Sequence, residues 1–139
     1  MPSRNEEPVD PQGVFRKRIG LAAWSALIVA GTVPWADFVG HTHWQKVQWI
    51  PFSSPPVRVR DIVGNVAFYF PFGYFLMTAF PSRARVWHAV LLGGALSFIL
   101  EWSQLYSHWR FPSVQDLLCN IVGSSAGAIT ASLYSSQKR

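Results

Sequence analysis

The sequence predicts an all-α protein: a four-transmembrane-helix bundle built from two parallel helix-pair repeats, with both termini cytoplasmic. Three observations predict it. Half of the 139 residues are hydrophobic and only 14% are charged, against about 25% charged in soluble domains. The polar residues gather in clusters that separate four long apolar runs. Two of those runs open in the same way, Asp61-Ile-Val-Gly-Asn65 and Asp116-Leu-Leu-Cys-Asn120.

A spanning helix needs about 20 mostly apolar residues. The first run covers residues 19–36 and follows a cytoplasmic N-terminal tail, 1–18. Arg16-Lys17-Arg18 ahead of it has the order of a signal peptide. Pro34-Trp35-Ala36-Asp37 offers no small-x-small cleavage site, so the segment is expected to stay as a helix. The second run is 62–80, with Pro71 and Gly73 predicting a kink near its middle. The third is 86–106 and the fourth 117–134, before a C-terminal tail, 135–139. The first and fourth runs are rich in Ala, Gly and Ser, which favours close helix packing over lipid exposure.

Basic residues set the direction. Arg4, Arg16, Lys17, Arg18, Arg83, Arg85, Lys138 and Arg139 fall on one side, and only Lys46, Arg58, Arg60 and Arg110 on the other. The positive-inside rule makes the richer side cytoplasmic. Both Asp-x-x-x-Asn motifs then enter the membrane from outside. The first outer loop carries Pro51, Pro55 and Pro56 and is expected to fold back along the surface. Trp35, Trp44, Trp49, Trp102 and Trp109 cluster at the same boundary, as an interfacial belt does.

The net charge is +5. Nucleic acid is nevertheless not expected as a partner, because the Lys and Arg sit at the ends of apolar runs. The one cysteine, Cys119, excludes an intrachain disulfide and any multi-cysteine metal site. The histidines show no H-E-x-x-H or His/Cys ligand spacing. No cofactor or metal is expected, although Asp61, Glu101, Asp116 and His108 remain an open alternative. No phosphate-binding glycine loop or G-x-S-x-G elbow occurs.

The candidate site comes from the outer ends of three runs. Helical spacing puts Asp116, Asn120, Gly123 and Gly127 on one face of the fourth, a polar end above a small-residue seam. Capping alone also accounts for Asp116, but not for Asn120. The third run aligns Gly94, Ser97, Glu101, Gln104 and His108. An unpaired carboxylate at Glu101 would cost several kcal/mol in hydrocarbon or take up a proton. Arg60, Arg110 or the two Asn side chains are its expected partners; an interhelical structural bond is the alternative. Asn65 lies about 6 Å inside Asp61 on the second run. Asn65, Glu101 and Asn120 are therefore expected at one depth. Arg60 and Arg110 flank the motifs and suit phosphate or carboxylate, or snorkel to lipid phosphates.

Taken in order, Trp49-Ile-Pro-Phe52, Arg60-Asp61-x-x-x-Asn65-x-x-Phe68-x-x-Pro71-Phe72-Gly73, Glu101-Trp-Ser-Gln104 and Asp116-x-x-x-Asn120-x-x-Gly123 resemble the VanZ-like family of small bacterial membrane proteins. The family's arginine–aspartate pair is here spread over Arg110 and Asp116. The resemblance implies a multi-pass plasma-membrane protein, linked in the family's namesake to resistance against the glycopeptide teicoplanin. It implies no established reaction.

The residues favour binding or transport over catalysis, because polar groups converge without a nucleophile–base set. The expected ligand set is Arg60, Asp61, Asn65, Glu101, Gln104, Arg110, Asp116 and Asn120. Its expected partners are membrane lipids and a polyprenyl-phosphate-linked envelope precursor, with homo-oligomerisation open. Two alternatives stand beside this. One is a membrane hydrolase or transferase with Glu101 as acid/base. The other is a noncatalytic assembly partner of an envelope complex.

Overall fold

A computed structural model describes residues 10–53 and 58–137. Arg4, Pro55, Pro56, Lys138 and Arg139, invoked above, lie outside the described residues. The described chain is all-α, with four helices and no strands: α1 (Pro11–Thr32), α2 (Val59–Ala79), α3 (Val86–Gln104) and α4 (Val114–Gln137). A single 3₁₀ turn, Trp44–Lys46, interrupts the long α1–α2 loop.

Local chemistry sets the helix ends. The Asp10 carboxylate accepts from the N–H groups of Gln12 and Gly13, each at 3.0 Å, and Pro11 occupies the first turn. This cap starts α1 at residue 11, well before the apolar run begins at Ile19. Pro34 cannot continue a helix and biases Val33 to extended backbone, so α1 stops at Thr32. In α4 the Ser113 hydroxyl accepts from the Asp116 N–H at 3.3 Å. Ser113, not Asp116, supplies the capping side chain there. Helix α2 runs unbroken through Pro71.

Helices α2, α3 and α4 are each long and apolar enough to cross a membrane. α1 is long enough, but it carries Arg16, Lys17 and Arg18 inside its first turns. Its charge-free part, 19–32, spans about 21 Å at 1.5 Å per residue, short of the ~30 Å hydrocarbon core.

The bundle is built around one close pair. α2 and α4 form the main contact, α1 lies against α2, and α3 lies against α4 with a lesser contact to α2. A Cβ added to Gly123 would collide with the Val66 carbonyl oxygen, and one added to Gly127 with that of Phe70. A Cβ on Gly73 would meet the Ser124 carbonyl. The small-residue seam of α4 thus takes α2 at backbone contact, where dispersion and interhelical bonds replace the hydrophobic drive that lipid does not supply.

Polar residues are buried beside an apolar core of Ile28, Tyr69, Phe72, Leu76 and Leu100, and large apolar residues also cover the outside. Ser97, Glu101, Gln104, Asn120 and Ser124 are buried, while Ile19, Leu91, Ile99, Val122 and Leu133 are exposed. So many large apolar side chains on the outside call for lipid. At one end, Arg18 donates to the Ala79 carbonyl at 3.4 Å and lies over the Phe80 ring. At the other, the α1–α2 loop is stitched onto the α3–α4 connection. Val39 N–H donates to Tyr106 O and His43 N–H to Leu105 O, both at 2.9 Å. Gln48 bonds on both sides, to Pro112 and Val114.

Candidate functional site

Two adjoining clefts open the loop end of the bundle. The inner one, about 330 Å³, lies among α2, α3, α4 and the end of α1 and is bordered by Asn65, Glu101, Gln104, Arg110, Asp116 and Asn120. Tyr69 and Phe68 form part of its floor. The outer one, about 420 Å³, is bordered by Arg60 and Asp61 with Gln48 and Gln115, and it shares Asn65, Phe111 and Asp116 with the first. Six of the eight candidate residues therefore meet in one cavity, and Arg60 and Asp61 stand outside it. Asn65, Glu101 and Asn120 share that cavity although they come from three helices.

Each polar side chain has a definite environment. Asn120 is 4% exposed, and its amide N–H donates to the Ser97 hydroxyl on α3 at 2.9 Å. Its other amide atom has no protein partner. Either orientation of the amide leaves one polar atom unpaired beside the cavity, because Ser97 engages only one. An unmet buried group of this kind costs about 1–3 kcal/mol.

Glu101 is 8% exposed and differs from expectation in its partner. No ion pair joins it to Arg60 or Arg110 among the described residues. Its Oε2 accepts the backbone N–H of Ser113 at 2.8 Å. The acidic group thus faces the first residue of the α4 cap, the end of a helix that favours negative charge. Ser113 then caps α4 with its own hydroxyl. Glu101 positions the start of α4, and with it Asp116 and the cavity wall. The sequence signal available for Ser113 was its place three residues before Asp116, the spacing of a helix cap.

The arginines also divide. Arg110 Nη2 donates to the Gly31 carbonyl at the end of α1, at 3.2 Å, while the residue borders the inner cavity. Arg60 pairs with its neighbour Asp61 at 3.3 Å, with side chains 77% and 49% exposed. Exposed pairs of this kind contribute about 0–1 kcal/mol.

The loop that carries Arg110 is held by Asp37. Its carboxylate accepts from the Ser107 hydroxyl and from the Trp109 N–H. The Ser107 hydrogen bond holds the Asp37 carboxyl below its ordinary range, aided by the backbone bond from Trp109. Trp35, Trp44, Trp49, Trp102 and Trp109 are all exposed around this end. Trp44 stacks on Trp49 and meets Trp102 edge-on at 5.3 Å.

His108 does not join the carboxylates. It meets His41 and His43 in the stitched loops, with ligand atoms within 4.8 Å of one another. The sequence signal for this trio is weak, because His-Thr-His at 41–43 lies far from His108 along the chain.

Comparison with known proteins adds the family. A family model, VanZ/LLP1, matches residues 19–135, and the chain belongs to that family. No curated protein and no solved structure matches it.

Proposed function

We propose that this VanZ/LLP1 family member is a four-span protein of the bacterial inner membrane, with both termini cytoplasmic, whose inner cavity binds or transports the headgroup of an anionic envelope lipid or precursor. The first span is completed by Arg16, Lys17 and Arg18 snorkelling to one interface and by Trp35 anchoring at the other. The two helix pairs, α1–α2 and α3–α4, are read as parallel repeats about the membrane normal.

One observation carries the reading: an arginine borders a cavity whose buried Asn120 has an unused hydrogen-bonding atom. Charge orders the ligand within the cavity. Glu101 and Asp116 would repel a phosphate, so the phosphate belongs with Arg110 at the loop side. The neutral, hydroxyl-bearing part of the headgroup then faces Asn65, Gln104 and Asn120. A polyprenyl-phosphate-linked sugar precursor fits that order. A contribution to glycopeptide (teicoplanin) resistance would follow from withholding or relocating such a precursor.

Native mass spectrometry of the detergent-extracted protein tests this and reports stoichiometry, including any homo-oligomer. The expected result is one enriched polyprenyl-phosphate-type lipid, retained in Arg60→Ala and depleted about tenfold or more in Arg110→Ala, the loss of a charge-assisted contact. Absence of an enriched lipid, or equal retention in both variants, removes the proposal.

A second reading has its own observation: two carboxylates, Glu101 and Asp116, border one cavity. It makes the protein a membrane hydrolase or transferase acting on the same lipids, with Glu101 as acid/base. Turnover of a polyprenyl phosphate, abolished in Glu101→Gln with helicity retained, selects it. The assembly-partner reading draws on the Asn120–Ser97 and Glu101–Ser113 bonds. It calls for lower melting temperatures in Asn120→Ala and Glu101→Ala and no lipid that raises either.

A further inference from the structure

Three of the four histidines converge where the α1–α2 loop crosses the α3–α4 connection. Ring centroids of His41 and His43 are 4.6 Å apart, those of His43 and His108 4.9 Å, and those of His41 and His108 5.6 Å. One ligand nitrogen from each lies within 4.8 Å of the others.

We propose that His41, His43 and His108 form a binding site for a first-row divalent transition metal, Zn²⁺ foremost, that staples these two loops together. Imidazole nitrogen suits Zn²⁺, Cu²⁺ and Ni²⁺, and the absence of an oxygen donor from the trio disfavours Mg²⁺ and Ca²⁺. Three protein ligands and an open fourth position match the three-histidine type of zinc site. Donors of a tetrahedral site with Zn–N of 2.0–2.1 Å stand about 3.3 Å apart. The trio reaches that spacing by side-chain adjustment of roughly 1 Å, which exposed His41 and His108 are free to make.

A second observation supports the site independently. His43 is buried, and its Nδ1 lies 3.3 Å from the Leu105 carbonyl. A carbonyl oxygen only accepts, so Nδ1 carries a proton there and Nε2 is the nitrogen left for a metal. Metal-ligating histidines are oriented by this kind of bond. The backbones are fixed as well, through His43 N–H to Leu105 O and Val39 N–H to Tyr106 O. Two charges sit at the edge. The Asp37 carboxylate accepts from the N–H of Trp109, next to His108, and the Lys46 ammonium donates to the His108 carbonyl at 3.1 Å. The Lys46 cation is engaged by that carbonyl and lies 5.1 Å from the Phe111 ring centroid. Arg110 lies two residues beyond His108 on the same connection, so the staple also steadies one wall of the cavity. The metal site itself does not depend on the lipid reading.

The test uses the tag-free full chain in detergent, stripped with a chelator and titrated with Zn²⁺, and with Co²⁺ as a spectroscopic probe. One equivalent of Zn²⁺ is expected to bind, with Co²⁺ giving the intense visible bands of a four-coordinate site. His41→Ala, His43→Gln and His108→Ala are each expected to weaken binding at least about 10–100-fold, the range that even outer-shell partners command. His88→Ala is the control, because His88 accepts from the Arg85 N–H at the far end of α3. Circular dichroism of each metal-free variant checks the fold; His41 and His108 are exposed, so their variants remain informative if the His43 variant unfolds. No stoichiometric binding, a six-coordinate Co²⁺ spectrum, or equal affinity in His88→Ala and His108→Ala would overturn the site.

Discussion

The motifs Asp61-Ile-Val-Gly-Asn65 and Asp116-Leu-Leu-Cys-Asn120 share a pattern, but the fold gives them different work. Asp61 is exposed and paired with the adjacent Arg60; Gly64 beside it has nothing within 4 Å of an added Cβ. Asn120 is buried against Ser97, and Gly123 just below is pressed against the backbone of α2. The difference comes from the neighbouring helix. α1 stops at Thr32, and its Gly31 lies opposite Phe68, so the first two turns of α2 extend past it. α3 runs on to Gln104 and reaches the start of α4 through Glu101. The outer end of a polar motif is covered only where a second helix is long enough to reach it; Asn65, one turn further in, still borders the inner cavity.

The largest expected difference between the two motifs lies at their glycines. Gly123→Ala should destabilise by about 1–3 kcal/mol, because a methyl group must force two backbones apart. Gly64→Ala has open space and should be neutral or slightly stabilising, since Ala is the better helix former. Thermal unfolding in one detergent would measure both. Equal melting temperatures would mean that α2 and α4 do not touch at Gly123.

The acidic residues come next. Glu101→Ala leaves the buried Ser113 N–H without its acceptor and should cost about 1–3 kcal/mol. Glu101→Gln keeps an acceptor oxygen and should lose less. Asp61→Ala removes only an exposed pair and should stay within about 0.5 kcal/mol. Amide hydrogen exchange adds a local readout: the first turn of α4 should lose protection in Glu101→Ala, while the first turn of α2 is unchanged in Asp61→Ala.

The smallest effect concerns pH. Asp37 has its carboxyl lowered from an ordinary value of 3.8 by the Ser107 hydroxyl. Its folded pKa lies below its unfolded one. The associated stability is therefore complete above the unfolded value and is lost as pH falls through the folded one. Melting curves of the parent should soften on that acidic limb, and Asp37→Asn should flatten the dependence. An unchanged limb would show that the Asp37 tether is not formed in solution.

Much of the candidate site was legible because polar residues in apolar runs are conspicuous. Asn65, Glu101, Gln104, Asp116 and Asn120 could be chosen by their cost alone. Their partners were not legible. Glu101 faces a backbone N–H, which no side-chain pattern announces, and Arg60 turns to its neighbour instead of the cavity. The boundaries of α1 depended on Asp10 and Pro34, which lie outside or at the edge of the hydrophobic signal.

An all-α chain with membrane-grade helices follows from the amino-acid order alone, because apolar run length and helical periodicity are local properties. The same order sets which helix faces are small and which are polar. Packing of the whole bundle is what places α2 in the glycine seam of α4, brings six polar residues to one cavity, and lets His41, His43 and His108 meet. Those outcomes depend on which helices are neighbours and where each one ends. Contacts between distant segments are set by packing over the whole bundle, and no local stretch of sequence carries that information.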